Sequence, residues 1–431
     1  MRHRSRATGL RARKFTAIAI ACGVAACARG ESVNDRVNPE TPLWYHRASG
    51  SMQVVVDRKL TAESRKVGED YERGKAEIDP VHGRVFCGSA DHGLYALTAG
   101  EGNTLWRFET LSYVQSEPYY DGELDMVYFG SHDGALYAVH AFDGSLAWRF
   151  FTGAEVARRP ARNGDMLYVM NASDQLYAID RKSGALKWQA HRTPALGMEI
   201  AGYAGAAYAY GKVYTAYSDG HVIAYDARTG DERWTPVDLT ADAEQNSCGV
   251  APRYLDVDTT PIPDDINGSG VVYVASYAAG VYALDAETGA RVWSNDKATG
   301  VTELTLWQEP AHKPNPKGPD KDGPMEPARK ILLASSGPTG LWALDPTTGR
   351  KLWRDPVPEG GVTAPVPFAG AILVGTTRYG LFLMSPRNGR VIDGIDLGSG
   401  FAQTPAAFGL RAYAVTNFGT LIGVQVSPPV E

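Results

Sequence analysis

Two acidic residues set two positions apart, Asp256 and Asp258, stand in the stretch Tyr254-Leu255-Asp256-Val257-Asp258-Thr259-Thr260-Pro261. In an extended segment, residues i and i+2 point to the same side. The two carboxylates would then form one compact acidic spot suited to a partner's Arg or Lys. Two turn-capping aspartates would use the same residue types, and spacing alone does not choose between these readings. Other groupings offer less. Ser131-His132-Asp133 and Ser89-Ala90-Asp91-His92 contain the residue types of a nucleophilic triad, but near neighbours on one turn cannot face each other in relay geometry. His92, His132 and His221 occupy comparable turns of successive segments, which spreads them around a rim instead of gathering them on a metal. Asp264-Asp265-Ile266-Asn267-Gly268 lacks the further ligands of a calcium loop and reads as a polar turn. No His-Glu-x-x-His and no Gly-rich phosphate loop is present. The residues therefore point to a protein that is not an enzyme, with no cofactor and no metal.

The ends of the chain carry a different signal. The first 26 residues hold Arg2, Arg4, Arg6, Arg11, Arg13 and Lys14, and no acidic residue, followed by the apolar run Phe15 to Ala26. That layout predicts a secretory leader over 1–26, too short to span a bilayer. Val24-Ala25-Ala26-Cys27 resembles the lipobox of bacterial lipoproteins, which implies cleavage before Cys27 and lipidation of that cysteine. Residues 27–40 read as a tether and 428–431 as a tail. The whole chain carries a formal net charge of −6, and the remainder after the leader is more acidic still. An acidic body without a basic stripe argues against nucleic acid as a partner. Cys87 and Cys248 are too far apart in sequence for their pairing to be read either way, and no paired-cysteine spacing suggests a metal.

One hairpin is written repeatedly between these ends. The units run LYALTAGEGNTLW (94–106), LYAVHAFDGSLAW (136–148), LYAIDRKSGALKW (176–188) and VIAYDARTGDERW (222–234). VYALDAETGARVW (281–293), LWALDPTTGRKLW (341–353) and LFLMSPRNGRVID (381–393) follow, and LIGVQVSPPV (421–430) breaks off before its turn. A further apolar strand with a tight polar turn precedes each unit, and a fourth is implied upstream. Four short antiparallel strands about every 40 residues predict an all-β, eight-bladed β-propeller over 41–427. Trp106, Trp148, Trp188, Trp234, Trp293 and Trp353 end the repeated units, and Trp44, in Thr41-Pro42-Leu43-Trp44-Tyr45, is expected to complete the last blade. Gln308 to Lys330 is rich in proline and charge and reads as a solvated excursion between the fifth and sixth blades. Leu60 to Lys75 could include a short helix.

The pattern Ala-x-Asp-x-x-Thr-Gly-x-x-x-Trp, intact at 224–234, 283–293 and 343–353, resembles the tryptophan-docking motif of the quinoprotein-like (PQQ-repeat) propellers. Enzymes of that superfamily hold pyrroloquinoline quinone over the channel beside adjacent cysteines, a calcium ion and an Asp base. This chain has no adjacent cysteines, so a quinoprotein dehydrogenase or cofactor binder stands as the alternative. Asp-Val-Asp-Thr-Thr-Pro, together with Gly400-Phe401-Ala402-Gln403-Thr404-Pro405, is similar to the BamB family of outer-membrane β-barrel assembly lipoproteins. The resemblance implies a noncatalytic scaffold, lipid-anchored through Cys27 to the outer membrane on its periplasmic side. It also implies a monomeric propeller that joins a complex by docking the periplasmic domains of the barrel-forming subunit. By the same resemblance, Asp256, Asp258 and Leu196 contribute to that docking, with Gly197 where the family carries Arg. An envelope scaffold with another client is the remaining alternative.

Overall fold

The computed structural model describes residues 50–60, 72–194, 202–246, 254, 256–311, 325–357 and 360–427. Cys27, Trp44, Leu196, Cys248 and most of the stretch expected to include a helix lie outside the described residues. Eight four-stranded antiparallel sheets follow one another around a ring. Blade 1 consists of Ala76–Asp79, Arg84–Gly88, Gly93–Thr98 and Thr104–Glu109. Blades 2 to 7 cover 119–151, 161–191, 207–238, 262–295, 301–355 and 366–396. The eighth blade takes three strands from the C-terminal end, Ala406–Phe408, Arg411–Val415 and Thr420–Val426, and its outer strand, Met52–Lys59, from the N-terminal side. The ring is thus closed by an N-terminal strand, and that strand lies downstream of the Trp44 segment. It pairs Met52 with Val426 and Lys59 with Thr420, with a register shift between Val54 and Val56.

Burial explains the sequence pattern. The third strand of blade 2, Ala135–His140, is buried at five successive positions, because both of its faces press on neighbouring blades. The outer strand Leu146–Phe151 buries Trp148 and exposes most of its other residues, so only it shows alternation. Each apolar cluster joins two blades: Tyr128 and Trp148 of blade 2 pack with Leu167 and Tyr177 of blade 3.

The repeated tryptophans form the seams. Each ring lies against the turn glycine of the next blade: Trp106 on Gly144, Trp148 on Gly184, Trp188 on Gly230, Trp234 on Gly289, Trp293 on Gly349 and Trp353 on Gly389. A β-carbon on Gly349 would lie 2.3 Å from the Trp293 ring, and its φ of +69° adds a second reason for glycine. The shallow place that receives each ring is therefore this glycine; the small alanine instead pairs with the tryptophan within its own blade, as Ala138 does with Trp148. Five indoles also donate to a carbonyl of the next blade: Trp106 to Ala141 (3.0 Å), Trp148 to Arg181 (3.0 Å), Trp188 to Ala227 (3.1 Å), Trp293 to Pro346 (2.9 Å) and Trp353 to Pro386 (2.8 Å).

Trp234 is the exception, although its sequence motif is intact. Its Nε1 has no acceptor among the described residues, and its ring meets Tyr214 at 61°, where Trp188 meets Tyr168 at 36°. Pro236, two residues on, has no N–H to give the ladder, and the outer strand of blade 4 shrinks to Val237–Asp238.

The proline-rich excursion belongs inside a blade. It joins Val301–Glu309 to Arg329–Ser336, the first two strands of blade 6, instead of linking blade 5 to blade 6. Asp264, Asp265 and Ile266 lie in the first strand of blade 5, so the polar turn expected over 264–268 narrows to Asn267 and Gly268, both with positive φ. Lys330 Nζ reaches Asp264 Oδ1 at 2.5 Å.

Candidate functional site

Inner strands all run in one direction, so the connections between blades enter on one face and the turns after the inner strands lie on the other. Asp256 and Asp258 precede the inner strand Ile262–Ile266 of blade 5, on the entry face. The proline-rich excursion follows an inner strand and so leaves from the opposite face. Both aspartates are buried, with 3% and 5% of their surface exposed. A solvent-facing acidic spot, one of the two readings their spacing allows, is therefore not what the fold presents. The Asp256 carbonyl accepts the Tyr277 N–H at 3.2 Å. Thr259 Oγ1 accepts the Ala275 N–H at 2.8 Å, and Thr363 Oγ1 accepts the Gly375 N–H at 3.0 Å in blade 7. In these two entry segments the Thr thus caps the second strand of its own blade.

A residue absent from the sequence expectations dominates the entry end of the channel. Arg158, just before the inner strand of blade 3, extends its side chain across the ring with 12% exposed. Its Nη1 pairs with Glu303 of blade 6 at 2.6 Å and lies 3.5 Å from Glu117, which precedes blade 2. Its Nε donates to the Tyr203 carbonyl at 2.6 Å, and its Nη2 to the Asp258 carbonyl at 3.1 Å. Lys75 joins Glu117 from the other side at 3.3 Å. Burial opposes the charge on Glu117, yet Lys75 and Arg158 hold its carboxyl below the usual range. Burial likewise opposes the charge on Arg158, and Glu303 and Glu117 outweigh it, raising its pKa.

A cavity of about 560 Å³ runs from this cluster along the inner strands, walled by Tyr119, Tyr208, Leu304 and Val366 among others. Arg158 and Lys75, the cations at the cluster, already face Glu303 and Glu117. Arg159 pairs with Glu77 at 2.6 Å. A quinone carrying several carboxylates would meet cations that are already engaged, so the residues here do not fit such a cofactor. Cys87 is a buried free thiol in the seam between blades 8 and 1. Asp79, His82 and Asp125 come close enough together to hold a cation, but Arg84 sits among them, bonding Asp79 at 2.7 Å and pairing with Asp125. His92 and His132 flank the Tyr113 ring, with centroids 5.4 and 5.8 Å away, on turns of adjacent blades.

A family model described as outer membrane protein assembly factor BamB matches residues 90–312 and 338–427. The chain belongs to the BamB family. BamB of Legionella pneumophila is 25% identical over 216 residues, covering 50% of this chain and 48% of that protein. BamB of Yersinia pestis is 26% identical over 272 residues, covering 61% and 60% respectively. The chain thus spans between about half and three-fifths of these curated relatives. The crystal structure of BamB from Moraxella catarrhalis shares the fold, with a TM-score of 0.63 at 20% identity, covering 81% of this chain and 96% of that one. A lanthanide-dependent methanol dehydrogenase of Methylacidiphilum fumariolicum is 30% identical over 195 residues, which is 42% of this chain and 30% of the enzyme. BamB-family and enzyme propellers thus share the repeat, and function rests on the site each carries.

Proposed function

We propose that this chain is a noncatalytic scaffold in outer-membrane protein assembly, docking a subunit of the β-barrel assembly machinery through its entry face. The observation that carries this reading is the BamB family match across most of the ring. The engaged cations at the channel end weigh against the dehydrogenase alternative. In this reading the lipid on Cys27 holds the ring to the outer membrane from the periplasmic side. Asp256 and Asp258 shape the entry segment of blade 5 from within, and neighbouring surface, with Leu196 in the preceding connection, meets the partner.

The test is capture of the barrel-assembly subunit from gently solubilised envelopes, comparing the natural chain with the Asp256→Asn/Asp258→Asn double variant. Capture by the natural chain, and its loss in a variant with an unchanged melting temperature, supports the reading. Absence of the subunit with the natural chain overturns it. Cys27→Ala should release the protein from the membrane fraction, and unchanged attachment would overturn the anchor. Quinone-dependent alcohol oxidation by the purified chain with calcium or a lanthanide would restore the enzymatic alternative.

A further inference from the structure

Arg158 touches the chain at points far apart in sequence. Tyr203 belongs to the connection from blade 3 to blade 4, and Asp258 to the connection from blade 4 to blade 5. Glu303 stands across the channel on blade 6. The same two connections are joined a second time where the Gly205 N–H donates to Thr260 Oγ1 at 3.0 Å. Gly205 has no room for a side chain: a β-carbon there would lie 2.7 Å from Thr260 Oγ1 and 3.3 Å from Arg158 Cβ. Tyr203 is anchored in turn, its hydroxyl donating to the Glu155 carbonyl at 3.0 Å and accepting the Ala157 N–H.

We infer that Arg158 is the positioning residue of the docking face, tying the blade 3–4 and blade 4–5 connections into one unit braced across the channel by Glu303. The inference rests on the proposed docking role of that face. A guanidinium suits the task because its planar fork offers five N–H donors in fixed directions, and here it reaches two carbonyls and two carboxylates at once. Lysine keeps the charge and loses the fork. Glu303 supplies the opposite brace, so the connections are held against a blade that neither of them enters or leaves.

The experiment is hydrogen exchange on the full chain and on its Arg158→Lys and Glu303→Gln variants, paired with capture of the barrel-assembly subunit. Loss of one charge-assisted hydrogen bond should speed exchange at Gly205 and Tyr277 by about tenfold or more. Amides of the middle strands of blades 1 and 7 should keep their protection, and capture should fall with the local loss. Unchanged exchange at Gly205 and Tyr277 in both variants overturns the inference. Faster local exchange with undiminished capture also overturns it, because the connections would then be ordered without serving docking. If Arg158→Lys loses protection everywhere, Glu303→Gln, which leaves both carbonyl contacts in place, carries the comparison. Should the natural chain capture no subunit, the docking reading falls, while the exchange data still report whether Arg158 braces the connections.

Discussion

Asp393 occupies the place in blade 7 that tryptophan holds in the blades before it, and its buried carboxylate accepts the Met52 N–H at 2.8 Å. The equivalence follows from register: Leu383 faces Asp393 as Ala343 faces Trp353. At the next seam Val56, which faces Gly423, fills the same role and packs against Gly102. Among the described residues, the two seams flanking the N-terminal strand therefore lack the indole that binds the rest of the ring. Asp393→Ala should cost about 1.5–3 kcal/mol, the range for hydrogen bonds to a charged group. Exchange should rise first in Met52–Lys59, with Asp393→Asn intermediate. A uniform loss of protection around the ring would show that Asp393 does not act locally.

Glycine substitutions separate strain from contact. Gly349→Ala combines a φ of +69° with a clash against Trp293, whereas Gly164→Ala has a φ of +56° and open space around it. Both substitutions carry the left-handed backbone cost of about 1–2 kcal/mol, and only the first adds overpacking of about 1–3 kcal/mol. Urea unfolding of the two variants should show that difference. Equal midpoints would mean that the Trp293 ring yields freely.

Removing the indole N–H should separate the seams further. Trp188→Phe loses a bond to the Ala227 carbonyl, while Trp234→Phe loses none among the described residues. The first variant should be less stable than the second by about 1 kcal/mol. Equal losses in thermal melts would indicate that ring contact alone governs both seams.

Alkaline pH should unfold the ring through its tyrosines. Burial, reinforced by Asp91, Asp125 and Asp133, pushes Tyr95, Tyr120 and Tyr137 up to about 12 from an ordinary value of 10.0. A raised folded pKa means that the unfolded chain ionises first. The stabilising contribution is thus complete below pH 10.0 and is lost as pH climbs toward about 12. Urea midpoints should fall across that window, and Tyr137→Phe should flatten the slope. A midpoint independent of pH there would contradict the assignment.

Much of the ring was legible because its signals are local. The Gly-containing turns, the aromatic-Ala step and the terminal Trp recur in most units, and four-stranded blades form as they predict. Four features were hidden for physical reasons. Met52–Lys59 carries Val54-Val55-Val56 without alternation, because a register shift falls inside it, whereas Trp44 carried the more conspicuous motif. Trp234 sits in an intact motif whose ladder is broken by a proline beyond the motif's end. Arg158 has no local signature, since its partners lie 45, 100 and 145 residues away and meet only when the ring closes. The burial of Asp256 and Asp258 is hidden for the same reason, being set by chain that packs around them from other blades.

Closure by Met52–Lys59 also sets an order of events. This strand is among the first parts of the ring to be synthesised, and its partner Thr420–Val426 is the last. Until that final strand arrives, the early one has no sheet to join, and its run of three valines stays available to other chains. The newly made protein is therefore a waiting open arc, and the interval before its ends meet is when a chaperone would matter most.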